Sequence, residues 1–379
     1  MIAEKNQRVT LFQIYPNDPD FYLQWNLHNT GRLVGDPIED ADIDAPEAWQ
    51  HSRGNSFIRL GILDSRVDDA HCDLWRRIDS VEGESAPHSH GTHVAGIAAA
   101  MTNNEVGIAG VDWQARLYCR DIYYPEPSID WLIEDIEAAI RNLVRVINCS
   151  WGVLGPFSRL LWEKFYEAYC FGILPVCAIG YPERDSEMPA GFGFWIVSVN
   201  ATNWRDEIAS YCHGKRYVDI AAPGGEPYPE RAGILSTIPN NRWAYMWGTS
   251  MAAPHVTGTA GLLLGLNPTL RNYDLEWIMK LTAEDKNSQT LPGWDSLMGY
   301  GRLNACSAVV RLLPPYEIIR VGGVTLQREG SFTVEFKYNP FMDDTGSPGI
   351  YFCDRYKLEI TCSFADSFIN PPWGWFNIT

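Results

Sequence analysis

The sequence predicts an α/β fold with a mainly parallel central sheet, followed by a small β-rich C-terminal extension. Three observations carry this expectation. Between Phe57 and Pro223, short apolar runs alternate with segments whose apolar residues recur every three or four positions. A long run of small and apolar residues, MWGTSMAAPHVTGTAGLLLGL, reads as a helix enclosed by other elements rather than lying on a surface. Beyond Leu312 the pattern changes to apolar and polar residues in strict alternation.

Taken in order, FIRLGIL (57–63), ARLYCRDI (115–122), VRVINCSW (144–151), GILPVCAIG (172–180) and FWIVSVNAT (194–202) read as strands buried on both faces. Between them, DWLIEDIEAAIRNL (130–143) and SRLLWEKFYEAYCF (158–171) read as amphipathic crossover helices. Such βαβ alternation makes the sheet parallel and puts ligand sites beyond the carboxyl ends of its strands. GGEPYPE, after Pro223, is a loop ahead of the small-residue helix, and NYDLEWIMKLTAE (272–284) predicts one more helix. LLPPY (312–316) interrupts any regular element, which divides the chain into 1–312 and 313–379. SFTVEFKY and YKLEITCSF then supply alternating strands for the extension, and there are no internal repeats or low-complexity tracts.

With 379 residues, 46% of them hydrophobic, the chain can build a substantial core. A net charge of -17 repels nucleic-acid phosphates and anionic membranes, so neither is expected as a partner, and it is compatible with divalent-cation sites. The first residues lack the basic head, apolar middle and small-residue cleavage site of a signal peptide, and no apolar run is long enough to insert in a membrane. Nine cysteines stand singly, several within apolar runs such as VINCSW, which argues against a disulfide framework or a CxxC metal cage. Reduced, buried thiols fit a reducing compartment, hence a cytoplasmic protein.

The stretch SHGTHVAGIAAA sets His90 and His93 three residues apart. A zinc-protease helix needs two histidines four apart with a glutamate beside the first, so the metal reading fails. His93, followed at once by small apolar residues, reads as a core side chain, whereas His90 stands at the head of the helix, where a ring can face a cleft. Asp64 ends the apolar run RLGILD, so its carboxylate would emerge at the carboxyl edge of the sheet, either to orient an imidazole or to cap a turn. Ser250, in GTSMAAPH, opens a helix either as an ordinary N-cap or as a nucleophile next to the helix's positive end.

Asp, His and Ser in that chain order on a parallel α/β scaffold resemble the subtilisin-like serine proteases. The matching segments are GILDSRVDDAHCDL, SHGTHVAGIAAA, VINCSWG, IASYCHGKRYVDIAAPG, GTSMAAPHVTGTAGLLL and GYGRLNA, in the family's order. The resemblance implies a three-layer subtilisin-like catalytic domain in 1–312, calcium-linked at its N-terminal segment. It also implies a serine endopeptidase acting on protein or peptide substrates, with Ser250 as nucleophile, His90 as general base and Asp64 holding the imidazole. The walls of the first specificity pocket would be Ser150, Trp151 and Gly152 facing Ala178, Ile179 and Gly180. Glu187, at its floor, would favour Lys or Arg before the cleaved bond, unless it is a solvated glutamate of the run PERDSE. The match to mature enzymes begins near Tyr15, which implies an intracellular member active from the start, or a secreted one whose leader and propeptide lie outside this sequence.

The chain also departs from the family. Where relatives carry an Asn that donates to the oxyanion beside the Ser250 backbone N-H, it has Tyr181, and loss of one such donor costs about two to three orders of magnitude in turnover. Arg66 replaces a glycine after Asp-Ser, and Ile179 replaces a small residue. These changes keep open a catalytically silent fold that binds peptides. Calcium is the implied cofactor, because MTNNEVGIAG resembles the calcium loop of thermitase-type members. Its ligands would be Asp18, Asp73 and the Asn104 side chain, with the backbone oxygens of Met101, Val106 and Ile108; all are oxygens, as Ca²⁺ prefers. The competing reading is a plain polar turn. The sequence does not specify an oligomeric state.

Overall fold

In the computed structural model, residues 14–32, 34, 38–124, 127–180 and 188–313 are described in full, and 316–321, 329–338 and 355–363 as backbone strands. Contacts divide the chain into two compact units, Met1–Leu312 and Leu313–Thr379. The first is built on a seven-stranded sheet of β1 (Arg59–Asp64), β2 (Ile78–Glu82), β3 (Arg116–Asp121), β4 (Val146–Cys149), β5 (Leu174–Ala178), β6 (Val197–Thr202) and β7 (Ile220–Pro223). The spatial order is β2-β3-β1-β4-β5-β6-β7 and every neighbouring pair is parallel, as the alternating pattern predicts. A two-stranded antiparallel hairpin, β8 (Ile234–Ile238) and β9 (Arg242–Met246), stands apart from it.

Helices cover both faces. Alternate strand residues point to opposite sides, so Leu60, Ile62 and Val146 join one core with α2 (Ser89–Ala99) and α5 (Thr249–Leu266). Leu63, Ile147 and Cys149 join the other, with α3 (Ile129–Arg141) and α4 (Arg159–Cys170). The short α1 (Ala45–Ala48), α6 (Asn272–Leu281) and α7 (Ala305–Val310) complete the first layer. Serine caps start the crossover helices: Ser128 accepts from the Trp131 N-H and Ser158 from the Leu161 N-H. α5 is buried almost throughout, and Gly258 allows that, because a Cβ there would stand 2.8 Å from the Ala98 carbonyl oxygen of α2.

Three sequence expectations change in detail. The strand expected from Phe57 starts at Arg59, and Phe57 itself is 91% exposed. β2 was not anticipated, because IDSVE is a partly exposed edge strand without an apolar run. β7, β8 and β9 were likewise absent from the expected list. Among the described residues no helix is long and apolar enough to cross a membrane. The second unit consists of an antiparallel sheet of β10 (Tyr316–Val321), β11 (Glu329–Tyr338) and β12 (Arg355–Ser363), with β11 in the middle.

Candidate active site

β1, β3, β4 and β5 end along one edge of the sheet, and a cavity of about 670 Å³ opens there. Asp64 is the last residue of β1, and its position is fixed by register: it pairs with Asp121 on β3, and its carbonyl accepts the Ile122 N-H at 2.9 Å. His90 lies in the first turn of α2. Its Nδ1 donates to Asp64 Oδ1 at 2.7 Å, which leaves the other ring nitrogen available. Burial opposes the charged imidazolium, but the charge and hydrogen bond of Asp64 outweigh it, so the His90 pKa stands above the ordinary histidine value. His93 is fully buried, and its Nε2 lies within hydrogen-bond reach of the Ile234 and Ala244 carbonyls. Its pKa is pushed down to about 3, chiefly by burial, so it is a neutral core side chain.

Ser250 sits at the second residue of α5 and lines the same cavity as Asp64 and His90. Its hydroxyl donates to the Ser150 carbonyl at 3.0 Å rather than to His90. The return contact has a clear origin. Pro254, inside α5, has no N-H for the carbonyl four residues back, which is that of Ser250. The Ser150 hydroxyl donates to that carbonyl instead, at 2.8 Å. β4 and α5 are thus tied together at the serine, and Gly180 is tied to the same helix through its N-H to Thr249 Oγ1 at 3.1 Å.

The expected pocket residues Ser150, Trp151, Gly152, Ala178, Ile179 and Gly180 all line the cavity. Trp151 is held across β1 by its indole N-H, which donates to the Leu63 carbonyl at 2.6 Å. Leu154 and Met188 also line the cavity and were missed by sequence reasoning, since neither belongs to a recognisable pattern. The lining also includes the polar residues Ser65, Arg66, Ser85, His88, Asp121 and Tyr123. Ser65 and His88 were also missed, although the sequence signal existed, a serine directly after Asp64 and a histidine two residues before His90. Arg66 donates to the Gly83 carbonyl and lies 3.7 Å from Asp69. Tyr181 and Glu187 fall outside the described residues.

The expected calcium ligands come together in a second place. Asp18 accepts from the Asn103 and Asn104 backbone N-H groups at 2.7 and 3.3 Å. Asp73 accepts from the Asn104 side-chain amide, the Ile108 N-H and the Trp243 indole. Burial first, with the nearby Asp18 charge adding to it, raises the Asp73 pKa to about 7, and burial raises that of Asp18. Among the described residues, the carbonyl oxygens of Met101, Val106 and Ile108 accept no hydrogen bond. Two buried carboxylates sharing one loop with free carbonyls form an oxygen donor set that fits a hard cation. Asn104 would have to turn its amide, because its nitrogen faces Asp73 and its oxygen accepts the Val106 N-H at 2.9 Å. A separate acidic group, Asp40, Asp42 and Asp44, lies against the buried guanidinium of Arg302, whose Nη1 donates to the Asp40 carbonyl.

Comparison with known proteins supplies independent information. The sequence model of the subtilase family matches residues 55–301. The chain is 32% identical over 277 residues to a thermophilic serine proteinase of Bacillus sp. (strain AK1), an alignment covering 69% of this chain and 64% of that protein. It is 29% identical over 338 residues to a cell wall-associated protease of Bacillus subtilis (strain 168), covering 81% of this chain and 37% of the relative. With thermitase of Thermoactinomyces vulgaris the identity is 31% over 303 residues, covering 78% of this chain and 99% of thermitase. The chain therefore spans less than two thirds of the first two relatives and nearly the whole of the third. A solved structure of proteases from Pseudoalteromonas arctica PAMC 21717 aligns with a TM-score of 0.65 at 27% identity, covering 78% of this chain and 98% of that one.

Proposed function

The chain belongs to the subtilase family, and from that premise we propose that it is a serine endopeptidase hydrolysing peptide bonds in protein or peptide substrates through Asp64, His90 and Ser250. The observation that carries the reading is the 2.7 Å bond from His90 Nδ1 to Asp64 Oδ1 in the cavity that Ser250 also lines. Fixed in this way, the imidazole carries its proton on Nδ1 and offers the Nε2 lone pair as a base. Ser250 turns about its Cα–Cβ bond away from the Ser150 carbonyl, gives its proton to Nε2 and attacks the scissile carbonyl. His90, now charged and stabilised by Asp64, returns the proton to the leaving amine, and water then hydrolyses the acyl-enzyme by the same route. The negative charge on the tetrahedral oxygen faces the Ser250 N-H at the start of α5, where the helix contributes partial positive charge, and Tyr181 is the proposed second donor.

Two readings of the residue before the cleaved bond compete. Glu187 favours Lys or Arg, whereas Trp151, Leu154, Ile179 and Met188 in the cavity lining favour an apolar side chain. For the calcium set, the ion would bind Asp18, Asp73, Asn104 and the three backbone oxygens, tying the N-terminal segment to the domain. Compartment is equally a proposal: cysteine usage favours the cytoplasm, and the cell-wall association in one relative's name favours a secreted location. A catalytically silent peptide-binding fold is the second functional reading, favoured by Tyr181 and by the Ser250 hydroxyl resting on Ser150. Cleavage profiling on a peptide library, wild type beside Ser250→Ala, tests these together. Turnover abolished by the substitution supports the endopeptidase, and no turnover by wild type with calcium present supports the silent fold. Equal cleavage after Leu and Arg removes the basic preference.

A further inference from the structure

We infer that Trp151 is a positioning residue for Asp64: its indole N-H holds the last peptide unit of β1, and through it the bond from Asp64 to His90; the inference rests on the peptidase reading above. The strand order reverses between β1 and β4, and an open α/β sheet forms a crevice at such a point. On the β3 side β1 stays paired to its end, Asp64 with Asp121, and the Asp64 carbonyl accepts the Ile122 N-H at 2.9 Å. On the β4 side the register stops earlier, at Ile62 with Asn148. Successive residues of a strand turn their backbone groups to opposite neighbours, so the Leu63 carbonyl faces β4 just where that ladder has ended. Leu63 is fully buried, and a buried carbonyl needs a donor. The Trp151 indole, from the segment that follows β4, supplies it at 2.6 Å.

The ring therefore does more than form a wall. It lines the cavity together with Asp64, His90 and Ser250, and it packs against Phe165 of α4 with 6.3 Å between ring centroids. The Leu63 carbonyl and the Asp64 N-H belong to one planar peptide unit, so a carbonyl released from the indole lets the backbone turn at the residue from which the carboxylate projects. Asp64 has little slack to absorb such a turn. Its Oδ1 accepts from the Ser65 N-H and from His90 Nδ1, both at 2.7 Å. The residue before Trp151 makes the matching connection to the nucleophile: the Ser150 carbonyl accepts the Ser250 hydroxyl, and the Ser150 hydroxyl donates to the Ser250 carbonyl. Two consecutive residues thus join one cavity wall to the strand that carries Asp64 and to the helix that carries Ser250.

The test uses the full chain with two replacements of Trp151. 3-Benzothienylalanine has the shape of tryptophan with sulfur in place of the N-H, and Trp151→Phe removes the N-H together with part of the ring. With a short chromogenic peptide amide, the benzothienyl replacement should lower kcat about tenfold and leave KM within about twofold, since the wall keeps its shape. Trp151→Phe should lower kcat to a similar degree and change KM as well. An independent readout needs no turnover: in histidine-labelled protein, the His90 Nδ1-H proton resonance should move in both variants relative to wild type at the same pH. A ring that serves as a wall alone would leave the benzothienyl protein like wild type in kcat and in that resonance, and this result overturns the inference. Should the benzothienyl protein not fold, Trp151→Phe decides by the resonance, and an unmoved signal overturns the inference. A wild type without turnover whose His90 resonance still moves on replacement keeps the positioning role and removes the peptidase reading instead.

Discussion

Two partners decide the behaviour of His90: the Asp64 carboxylate, and a buried setting that opposes its charge. The carboxylate wins, so the imidazole holds its proton to a higher pH than a free histidine does. In the proposed mechanism the base must be neutral to accept the Ser250 proton, so the acid limb of kcat/KM should lie above the ordinary histidine range. Asp64→Asn should move that limb down in pH, because the attraction that raises the pKa is gone. The same substitution should lower kcat by about four orders of magnitude through loss of the required tautomer, while the circular dichroism spectrum stays native. An unmoved limb in Asp64→Asn would show that another group controls the base. At this scale the sequence made residue types and chain order legible, and with them the candidates Asp64, His90 and Ser250, which the fold brings to one cavity. It could not show that the Ser250 hydroxyl rests on the Ser150 carbonyl, because that contact joins the first turn of α5 to the residue that follows β4, 100 positions away in the chain.

At the level of the elements, the site depends on how closely α2 approaches the end of β1. A Cβ on Gly91 would stand 1.9 Å from the Ser65 carbonyl oxygen, so no side chain fits there without moving the first turn of the helix. Gly258 in α5 is similarly crowded, by Val111 and the Ala98 carbonyl, but away from the cavity lining. Both Gly→Ala changes should cost about 1–3 kcal/mol of stability, measured by denaturant unfolding. Only Gly91→Ala should also lower kcat/KM, by tenfold or more, because it shifts His90. Equal losses of activity in the two variants would contradict this division of labour. The elements themselves were legible where burial on both faces produces a continuous apolar run, as in β1, β4 and β5. β2 was not, since in the edge strand IDSVE polar residues separate the two apolar ones and no run forms, and neither was the hairpin of β8 and β9, where RWAYM is only partly buried.

For the whole molecule, the buried carboxylates set how stability responds to metal and pH. Asp42 and Asp73 are raised to about 7 and Asp44 to about 9, all chiefly by burial, with Asp42's charge next for Asp44. A carboxyl whose folded pKa lies above its unfolded value stabilises the fold below the unfolded pKa and loses that contribution as pH rises through the folded one. His93 and His255 shift the other way, to about 3 and 4, and act only below the unfolded histidine value. Above about pH 6.5 the carboxylates therefore dominate, Asp42 and Asp73 up to about pH 7 and Asp44 up to about 9, and the metal-free protein should lose thermal stability as pH rises over that range. Saturating calcium should raise Tm by on the order of 5 °C and flatten the part of this slope that belongs to Asp73. A melt unchanged by chelator would remove the calcium proposal. The central claim is that Asp64, His90 and Ser250 act as one proton-handling unit, and active-site labelling addresses it most directly. Folded, calcium-loaded protein treated with a fluorophosphonate should carry a single adduct on Ser250, located by peptide mass spectrometry and lost in His90→Ala. An unlabelled Ser250, or labelling indifferent to His90, would contradict it.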